Sequence, residues 1–221
     1  MSKIVHPYAH RLVILRDWKS RWITTPKKYK EYLRGDVLIR QFLQKKLRGF
    51  YVSGIEFERS PKSLRVILRT SRPGMIIGRE GVGATKLKEE ILKMMAKNKI
   101  DAPAEFKVDI MEVAQPEADA AIVAYMVAEG LEKRLPYRKV MKQTIEKVMT
   151  TRGIFGARIV LGGRLGGAEI SRSEEIKKGS IPLQTFRADI DFAREKAHLP
   201  YGDVGIKVWI YRGQIFDKDK K

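Results

Sequence analysis

Residues 72–81 read Arg-Pro-Gly-Met-Ile-Ile-Gly-Arg-Glu-Gly, and the patterns on either side of them decide the fold. Before this stretch, residues 64–70 carry Leu, Val and Leu at every second position, which predicts a strand. After it, apolar residues recur at helical spacing, at Leu87, Ile91, Met94 and Met95. The order is therefore a strand, an apolar turn with Gly-x-x-Gly, and an amphipathic helix.

Two glycines three positions apart, Gly78 and Gly81, let a backbone bend and approach another backbone without a Cβ in the way. Amides near a helix start can also face phosphate. This is the arrangement with which a KH module clamps about four nucleotides of single-stranded RNA. Gly-x-x-Gly alone is also a common turn, but its apolar and basic setting favours the clamp. The candidate RNA-binding residues are Arg72, Gly78, Arg79, Glu80, Gly81 and Lys86.

The charge of the chain also indicates a polyanionic partner. The 221 residues include 45 Lys and Arg against 26 Asp and Glu, a net charge of +19. Residues 1–50 alone carry 13 basic and 3 acidic side chains, so the strongest phosphate-seeking surface is expected there. The candidate RNA contacts in this segment are Lys3, His6, Arg11, Lys19, Arg21, Lys27 and Lys28.

Trp18 and Trp22 stand among basic residues, and two interpretations of them stay open. Their rings can stack on bases while the neighbouring cations hold phosphates. They can equally cap the core of the domain.

Other classes of protein are disfavoured by composition. The chain has no cysteine and three scattered histidines, so we expect no metal site and no cofactor. No apolar run approaches the roughly 20 residues of a membrane span, and the first residues lack the apolar core of a signal peptide. We expect the protein in a cytosol or in an organelle matrix, without a membrane partner.

A helix predicted over about 27–48 precedes two strands, near 54–59 and 64–70, and a third strand follows near 106–110. This order predicts a KH domain of type II, with helices on a three-stranded sheet. Gly35-Asp36 is expected to notch the first helix, whose core stripe includes Val37.

Gln115-Pro116 marks the predicted domain boundary, with a helix starting at that proline. A second helix starts after Leu135-Pro136 and carries cations in its first two turns, where the helix dipole disfavours them. A charge run is usually only a solvated face, but this one lies at the wrong helix end. It indicates a basic patch facing nucleic acid, formed by Lys133, Arg134, Arg138, Lys139 and Lys142.

From residue 153 onward the signals are those of strands, at 157–161, 168–173, 186–192 and 206–210. They predict an antiparallel sheet with the two helices on one side. The expected class is α+β. The expected domains are a basic N-terminal extension over 1–26, the KH domain over 27–114 and an α/β domain over 115–221.

The whole chain resembles the family of the third protein of the small ribosomal subunit, in its bacterial or organellar form. The motifs run in order from end to end: Val5-His6-Pro7, residues 72–81, Gly163 to Ser171, Arg187 to Asp191 and Gly205 to Ile210. The resemblance implies a ribosomal protein that binds small-subunit rRNA in the head, beside the proteins numbered ten and fourteen. It also implies that the basic patch after the inter-domain helix faces mRNA at the entrance of its channel and helps to unwind it during translation.

The resemblance adds two candidate contacts for rRNA or a neighbouring protein, Arg164 and Arg172. One departure concerns the Gly-x-x-Gly, where the family often has two basic residues. Glu80 is acidic here, so a weaker pull on phosphate is expected.

Two other functions compete with a structural ribosomal protein. A free KH-type RNA-binding or ribosome-assembly factor would not need the C-terminal β pattern. A metal-dependent nuclease could use Asp189 and Asp191, which share one face of a strand, but Arg187 lies on that face and would neutralise them. We therefore predict that the chain is not an enzyme.

Overall fold

The computed structural model describes residues 5–100 and 104–216, which divide into two compact units. One unit, here called the KH unit, runs from Trp18 to Ala114. The other, here called the C-terminal unit, combines the described residues up to Asp17 with those from Gln115 onward. Of the predicted extension over 1–26, residues 5–17 belong to the C-terminal unit and residues 18–26 to the KH unit.

The described residues form six α-helices and eight strands. In chain order the helices are α1 (Pro7–His10), α2 (Pro26–Lys46), α3 (Pro73–Ile77), α4 (Val82–Lys97), α5 (Ala120–Glu132) and α6 (Tyr137–Thr150). The strands are β1 (Ser20–Arg21), β2 (Val52–Arg59), β3 (Ser63–Thr70), β4 (Glu105–Glu112), β5 (Gly156–Gly163), β6 (Arg172–Gly179), β7 (Ala188–Leu199) and β8 (Gly202–Gln214). The predicted α+β class is confirmed.

The KH unit is built on a sheet with the strand order β1-β2-β3-β4. Strands β2 and β3 are antiparallel, as their short connection requires, whereas β3 and β4 are parallel and are joined through α3 and α4. The predicted three strands are present. The two-residue β1 adds a fourth, parallel to β2, which sequence patterns could not indicate because it is too short to show a period.

The core of the KH unit follows the predicted alternation. Leu64, Val66 and Leu68 of β3 are at most 1% exposed, and they pack with apolar residues of α2 and α4. Two details of α2 differ from prediction. Val37 is 39% exposed, and Gly35-Asp36 lies buried within a continuous helix.

In the C-terminal unit, α5 begins at Ala120 rather than at Pro116. Asp119 explains the difference, because its Oδ1 accepts hydrogen bonds from the amides of Ala121 (2.9 Å) and Ile122 (3.2 Å) and so caps the helix. The proline instead opens a single 3-10 turn over Pro116–Ala118.

The second sheet has the order β6-β5-β8-β7, and all of its pairs are antiparallel. Helices α5 and α6 cover one face, where alternate residues of β5 and β8, such as Ile159 and Val208, are fully buried. The predicted strand over 168–173 is displaced, since β6 begins at Arg172. Phe186 is 52% exposed and precedes β7.

Among the described residues, the opposite face of this sheet is covered only at one end. There Ile190, Trp209 and Tyr211 pack with residues of the loop before β7, including Ile181 and Leu183. No helix among the described residues is long and apolar enough to span a membrane.

Candidate nucleic-acid interfaces

Residues 78–81, here called the Gly loop, need glycine for their backbone. Gly78 ends α3 with φ 71° and ψ −174°, a combination that only glycine adopts readily. Glu80 (φ 54°) and Gly81 (φ 79°) are left-handed. The loop therefore turns the chain sharply between α3 and α4, which fits the predicted close approach to a second backbone.

A third glycine, Gly83, is also required here, although the sequence analysis did not select it. A Cβ on Gly83 would lie 2.5 Å from the carbonyl oxygen of Ile76 and 2.8 Å from that of Ile77. The end of α3 thus lies directly on the start of α4. The signal was available in the sequence, because Gly78, Gly81 and Gly83 form a Gly-x-x-Gly-x-Gly run.

Arg72 lies at the other end of α3, and a buried threonine fixes the turn that leads to it. The hydroxyl of Thr70 donates to the carbonyl of Phe50 (2.8 Å) and accepts from the amide of Arg72 (3.1 Å). The Arg72 guanidinium lies 4.5 Å from the ring centroid of Tyr51, a cation–π contact that no sequence pattern indicated.

The predicted RNA-binding residues of the KH unit therefore flank one short helix. Arg72 precedes α3, the Gly loop follows it, and Lys86 lies near the start of α4. Arg72, Arg79 and Lys86 are all exposed, as is Glu80. The surface combines a bare backbone with three cations and one acid, a composition suited to a phosphate chain.

The second candidate interface lies between α5 and α6. Its five cations, here called the junction patch, are Lys133, Arg134, Arg138, Lys139 and Lys142, and all are exposed. Arg134 adopts a left-handed conformation (φ 60°) that turns the chain between the helices. The helices pack closely, since a Cβ on Gly130 would lie 3.0 Å from Cγ1 of Val140.

Two members of the junction patch have acidic partners. Lys133 pairs with Glu129 one turn earlier in α5, and Nη2 of Arg138 lies 3.1 Å from Oε1 of Glu174 on β6. The hydroxyl of Tyr137 donates to the same carboxylate at 2.8 Å. The hydrogen bonds from Arg138 and then Tyr137 hold the pKa of Glu174 below its ordinary value, and Glu174 raises the pKa of Arg138.

Lys139 and Lys142 have no carboxylate within 4.0 Å among the residues that the structure describes. Both lie in the first two turns of α6, where the helix dipole and their mutual repulsion oppose them. Glu146, the one acid that spacing suggested as a partner, forms no ion pair with Lys142 in the described part of the chain. Together with Arg134, which also forms no ion pair among the described residues, these two lysines carry the uncompensated charge of the patch.

Two of the predicted N-terminal rRNA contacts, Arg11 and Arg21, are engaged inside the fold. Arg11 is fully buried, and its guanidinium donates to the carbonyls of Pro7, Leu183, Thr185 and Ala188 at 2.6–3.1 Å. The prediction for Arg11 is therefore corrected: it joins α1 to the loop before β7. Sequence patterns cannot indicate this role, because three of its acceptors are backbone groups more than 170 residues away.

The other N-terminal candidates differ in availability. Arg21 pairs with Glu56 (2.9 Å) and Glu58 (2.8 Å) on β2, and the His6 ring packs edge-on against Phe192. Lys19 is exposed. Lys27 and Lys28 are exposed in the first turn of α2, where the helix dipole again disfavours cations. Lys3 lies outside the described residues.

The two tryptophans take different positions. The Trp22 indole donates to Oδ2 of Asp36 at 2.9 Å, and its ring packs against Tyr29 and Tyr32. For Trp22 the structure favours the core interpretation. Trp18 is 56% exposed.

The C-terminal candidates Arg164 and Arg172 lie at the two ends of the glycine-rich connection between β5 and β6. Arg164 donates to the carbonyl of Ala168 at 2.9 Å and packs over the Tyr201 ring, so it stabilises that connection. Arg172 is exposed at the start of β6.

Comparison with known proteins agrees with both units. Residues 38–118 match the family model described as KH domain, and residues 127–210 match the one described as ribosomal protein S3, C-terminal domain. Small ribosomal subunit protein uS3 of Caldicellulosiruptor saccharolyticus is 43% identical over 97% of this chain and 94% of its own. The uS3 proteins of Clostridium novyi and Endomicrobium trichonymphae are 40% and 43% identical over the whole chain, covering 96% and 92% of their own. The chain belongs to the uS3 family.

Membership of the uS3 family confirms the predicted resemblance and the prediction that the chain is not an enzyme, because this is a family of structural ribosomal proteins. The geometry of the suspected nuclease carboxylates agrees. Asp189 pairs with Arg16 (2.6 Å), while Asp191 pairs with Arg212 (2.9 Å) and accepts from the amide of Ala120 (2.9 Å). Arg187, the expected neutralising partner, instead donates to Gln214. Among the described residues, no group of three metal-binding side chains is present.

Proposed function

We propose that the chain is a structural constituent of the small ribosomal subunit that binds rRNA in the head of that subunit. The Gly loop and Arg72 hold a single-stranded segment of rRNA, and Lys27 and Lys28 add phosphate contacts. Membership of the uS3 family and the KH match support this proposal. In this role the protein catalyses no reaction. It acts by holding positively charged side chains against the phosphates of RNA.

We further propose that the junction patch faces mRNA at the entrance of its channel and assists its unwinding. The observation that carries this proposal is the charge of Lys139 and Lys142. Both are exposed at the unfavourable end of α6, and neither has a carboxylate partner among the described residues. Placing these lysines at the start of a helix lowers the stability of the fold. Such a placement is expected where the bound partner is a polyanion, because its negative charge offsets the repulsion.

Sedimentation of cell lysate through a sucrose gradient tests the first proposal. We expect nearly all of the protein in the small-subunit and polysome fractions. A large free pool would instead favour a free KH-type assembly factor. Cross-linking of intact subunits tests the neighbours, which we propose to be the small-subunit proteins numbered ten and fourteen.

The Gly loop is tested with two variants of Gly81, because this position (φ 79°) tolerates Asn and Asp better than other side chains. Gly81→Asp and Gly81→Asn add nearly the same volume and backbone strain, but only the first adds negative charge. We expect Gly81→Asp to bind a single-stranded RNA oligonucleotide much more weakly than Gly81→Asn at moderate salt. Equal affinities would contradict contact between this loop and phosphate.

The junction patch is tested by Lys139→Gln with Lys142→Gln, which leaves the contact between Arg138 and Glu174 intact. The matched control is Lys147→Gln with Arg152→Gln, which removes the same charge at the other end of α6. We expect the first pair to slow translation through hairpins near the start of a message more than translation of unstructured messages. Equal slowing of both would assign the patch a general electrostatic role.

A further inference from the structure

The half of the C-terminal sheet that no other described residues cover carries a second basic surface. On the face of the sheet away from α5 and α6, Arg194 of β7 lies directly opposite Lys207 of β8, and Lys196 lies opposite Gly205. Gly205 in turn lies opposite Gly162 of β5. We call these five residues the open face: Gly162, Arg194, Lys196, Gly205 and Lys207.

The orientation of the open face follows from its neighbours in sequence. Ile206 and Val208 are buried against the helices, so Lys207 between them points to the other side. Ala197 is likewise buried, which places Lys196 outward. Arg194, Lys196 and Lys207 are all exposed.

The charge of the open face is poorly compensated. Like charges directly opposite each other on a sheet are destabilising, and Arg194 and Lys207 form such a pair. Neither has a carboxylate within 4.0 Å in the described part of the chain. Two acids border the face. Glu175 pairs with Arg158, and Asp203 accepts from His198 and lies 3.8 Å from Nζ of Lys196.

The two glycines are an independent observation, because the fold itself does not require them. A Cβ on Gly205 would meet only the carbonyl oxygen of Gly162, at 3.6 Å, and one on Gly162 would meet only Oγ of Ser173, at 3.6 Å. Neither has the positive φ that favours glycine. Glycine weakens a strand interior and often marks a place where a ligand or another backbone approaches closely.

We propose that the open face binds the sugar-phosphate backbone of double-stranded RNA. The bare glycine pair admits the backbone, while Arg194, Lys196 and Lys207 contact its phosphates. A duplex is favoured over a single strand because the only tryptophan on this face, Trp209, is 5% exposed and lies under Arg158, so it cannot stack on a splayed base. Recognition is then by shape and charge rather than by sequence.

This inference rests on the proposed function as an RNA-binding protein of the small subunit, and it extends that function to a second kind of RNA structure. The KH unit takes a single strand at the Gly loop. The C-terminal unit takes a duplex on the open face. Together they predict two RNA contacts that can be removed independently.

The test uses the full chain and a short blunt-ended RNA duplex of mixed sequence. Arg194→Gln with Lys207→Gln should raise the Kd for the duplex by roughly tenfold at moderate salt and reduce the magnitude of the slope of log K against log salt by about 1.8. The control, Lys147→Gln with Arg152→Gln, removes the same charge at and just beyond the end of α6. The melting temperature of the open-face variant should stay the same or rise, because a repulsive pair is lost.

Gly205→Val provides a second variant that leaves every charge in place. A Cβ at this position meets only the carbonyl oxygen of Gly162, at 3.6 Å, and valine favours strands, so stability should be kept while duplex binding weakens. The proposal is overturned if the Arg194/Lys207 variant loses no more duplex affinity than the control, or if Gly205→Val binds the duplex as well as the wild type. If instead the wild type binds neither duplex nor single strand, the proposed function itself fails.

Discussion

Nη2 of Arg59 and Oδ1 of Asp36 lie 2.9 Å apart in the interior of the KH unit, where their side chains are 6% and 2% exposed. The Trp22 indole donates to the second carboxylate oxygen at 2.9 Å. Burial raises the pKa of Asp36 above its ordinary value, although the Arg59 charge and the Trp22 hydrogen bond both act to lower it. Asp36 lies on α2 and Arg59 at the end of β2, so the ion pair joins these two elements. The hydrogen bond from Trp22 attaches the segment after β1 to them.

Asp36→Asn should therefore destabilise the protein strongly. The amide keeps the volume but leaves the Arg59 charge buried without an opposite charge, a change that typically costs about 3–5 kcal/mol. Urea unfolding followed by circular dichroism measures the loss. Adding Arg59→Met should restore part of it, because the stranded charge is removed. If Asp36→Asn alone is as stable as the wild type, the ion pair between Asp36 and Arg59 contributes little to the stability of the fold.

Gly83→Ala should disrupt the packing of α3 on α4. The added methyl would lie 2.5 Å from a backbone oxygen that cannot rotate away, so α3 must shift. Gly74→Ala is the matched control, since Gly74 is in the same region, has no atom within 4 Å of its added Cβ and has no positive φ. We expect a clear fall in melting temperature and in single-stranded RNA affinity for Gly83→Ala only. Similar values for both variants would refute the close approach of the helices.

Glu80→Lys should strengthen binding of single-stranded RNA. The side chain is exposed in the Gly loop, where an acid opposes phosphate and a cation adds a contact. The slope of log K against log salt should steepen by about 0.7 for one added contact to a single strand. Glu89→Lys, at an exposed position within α4, makes the same charge change outside the loop and serves as the control. Equal gains for both would mean that only net charge matters.

The contact between Glu174 and Arg138 predicts a pH dependence with a definite sign. Because the pKa of Glu174 is lower in the folded chain, its carboxylate stabilises the fold above the ordinary pKa of glutamate. That contribution is lost as the pH falls through the lowered value of the folded state. Carboxyl NMR should find this pKa depressed in the wild type and raised towards normal in Arg138→Gln. An unchanged titration would contradict the contact.

Arg11→Met should release residues 5–17 from the C-terminal unit. Methionine fills similar space but donates nothing, so four backbone carbonyls lose their partner, with a cost of roughly 3–5 kcal/mol. Limited proteolysis should cut the N-terminal segment faster, and the melting temperature should fall. Arg187→Met, an exposed arginine just before β7, is the control. Equal resistance of both variants to protease would show that Arg11 is dispensable.

The parts of the structure that were predictable are those with a local signal. The alternation over 64–70 and the spacing of Leu87, Ile91 and Met95 reproduce the core of the KH unit, because a buried face imposes its period on the sequence. The cations at the start of α6 were found by their conflict with the helix dipole. That conflict is likewise a local property.

The parts that were missed depend on distant partners. Arg11 resembles any other N-terminal arginine until the loop before β7 is folded around it. Arg194, Lys196 and Lys207 lie on two strands, and only the register of β7 on β8 brings them together. The count of basic residues in the N-terminal segment overstates the charge that is available to RNA. Arg11, Arg16 and Arg21 are partnered within the fold.

The Arg11 contacts also constrain the order in which the newly made protein can mature. Arg11 leaves the peptidyl-transferase centre long before Leu183, Thr185 and Ala188 have been translated, so the start of the chain must wait for its acceptors. The KH unit needs only residues 18–114 and is complete much earlier. The nascent chain should therefore finish the KH unit first and dock the segment around Arg11 on residues 183–188 later.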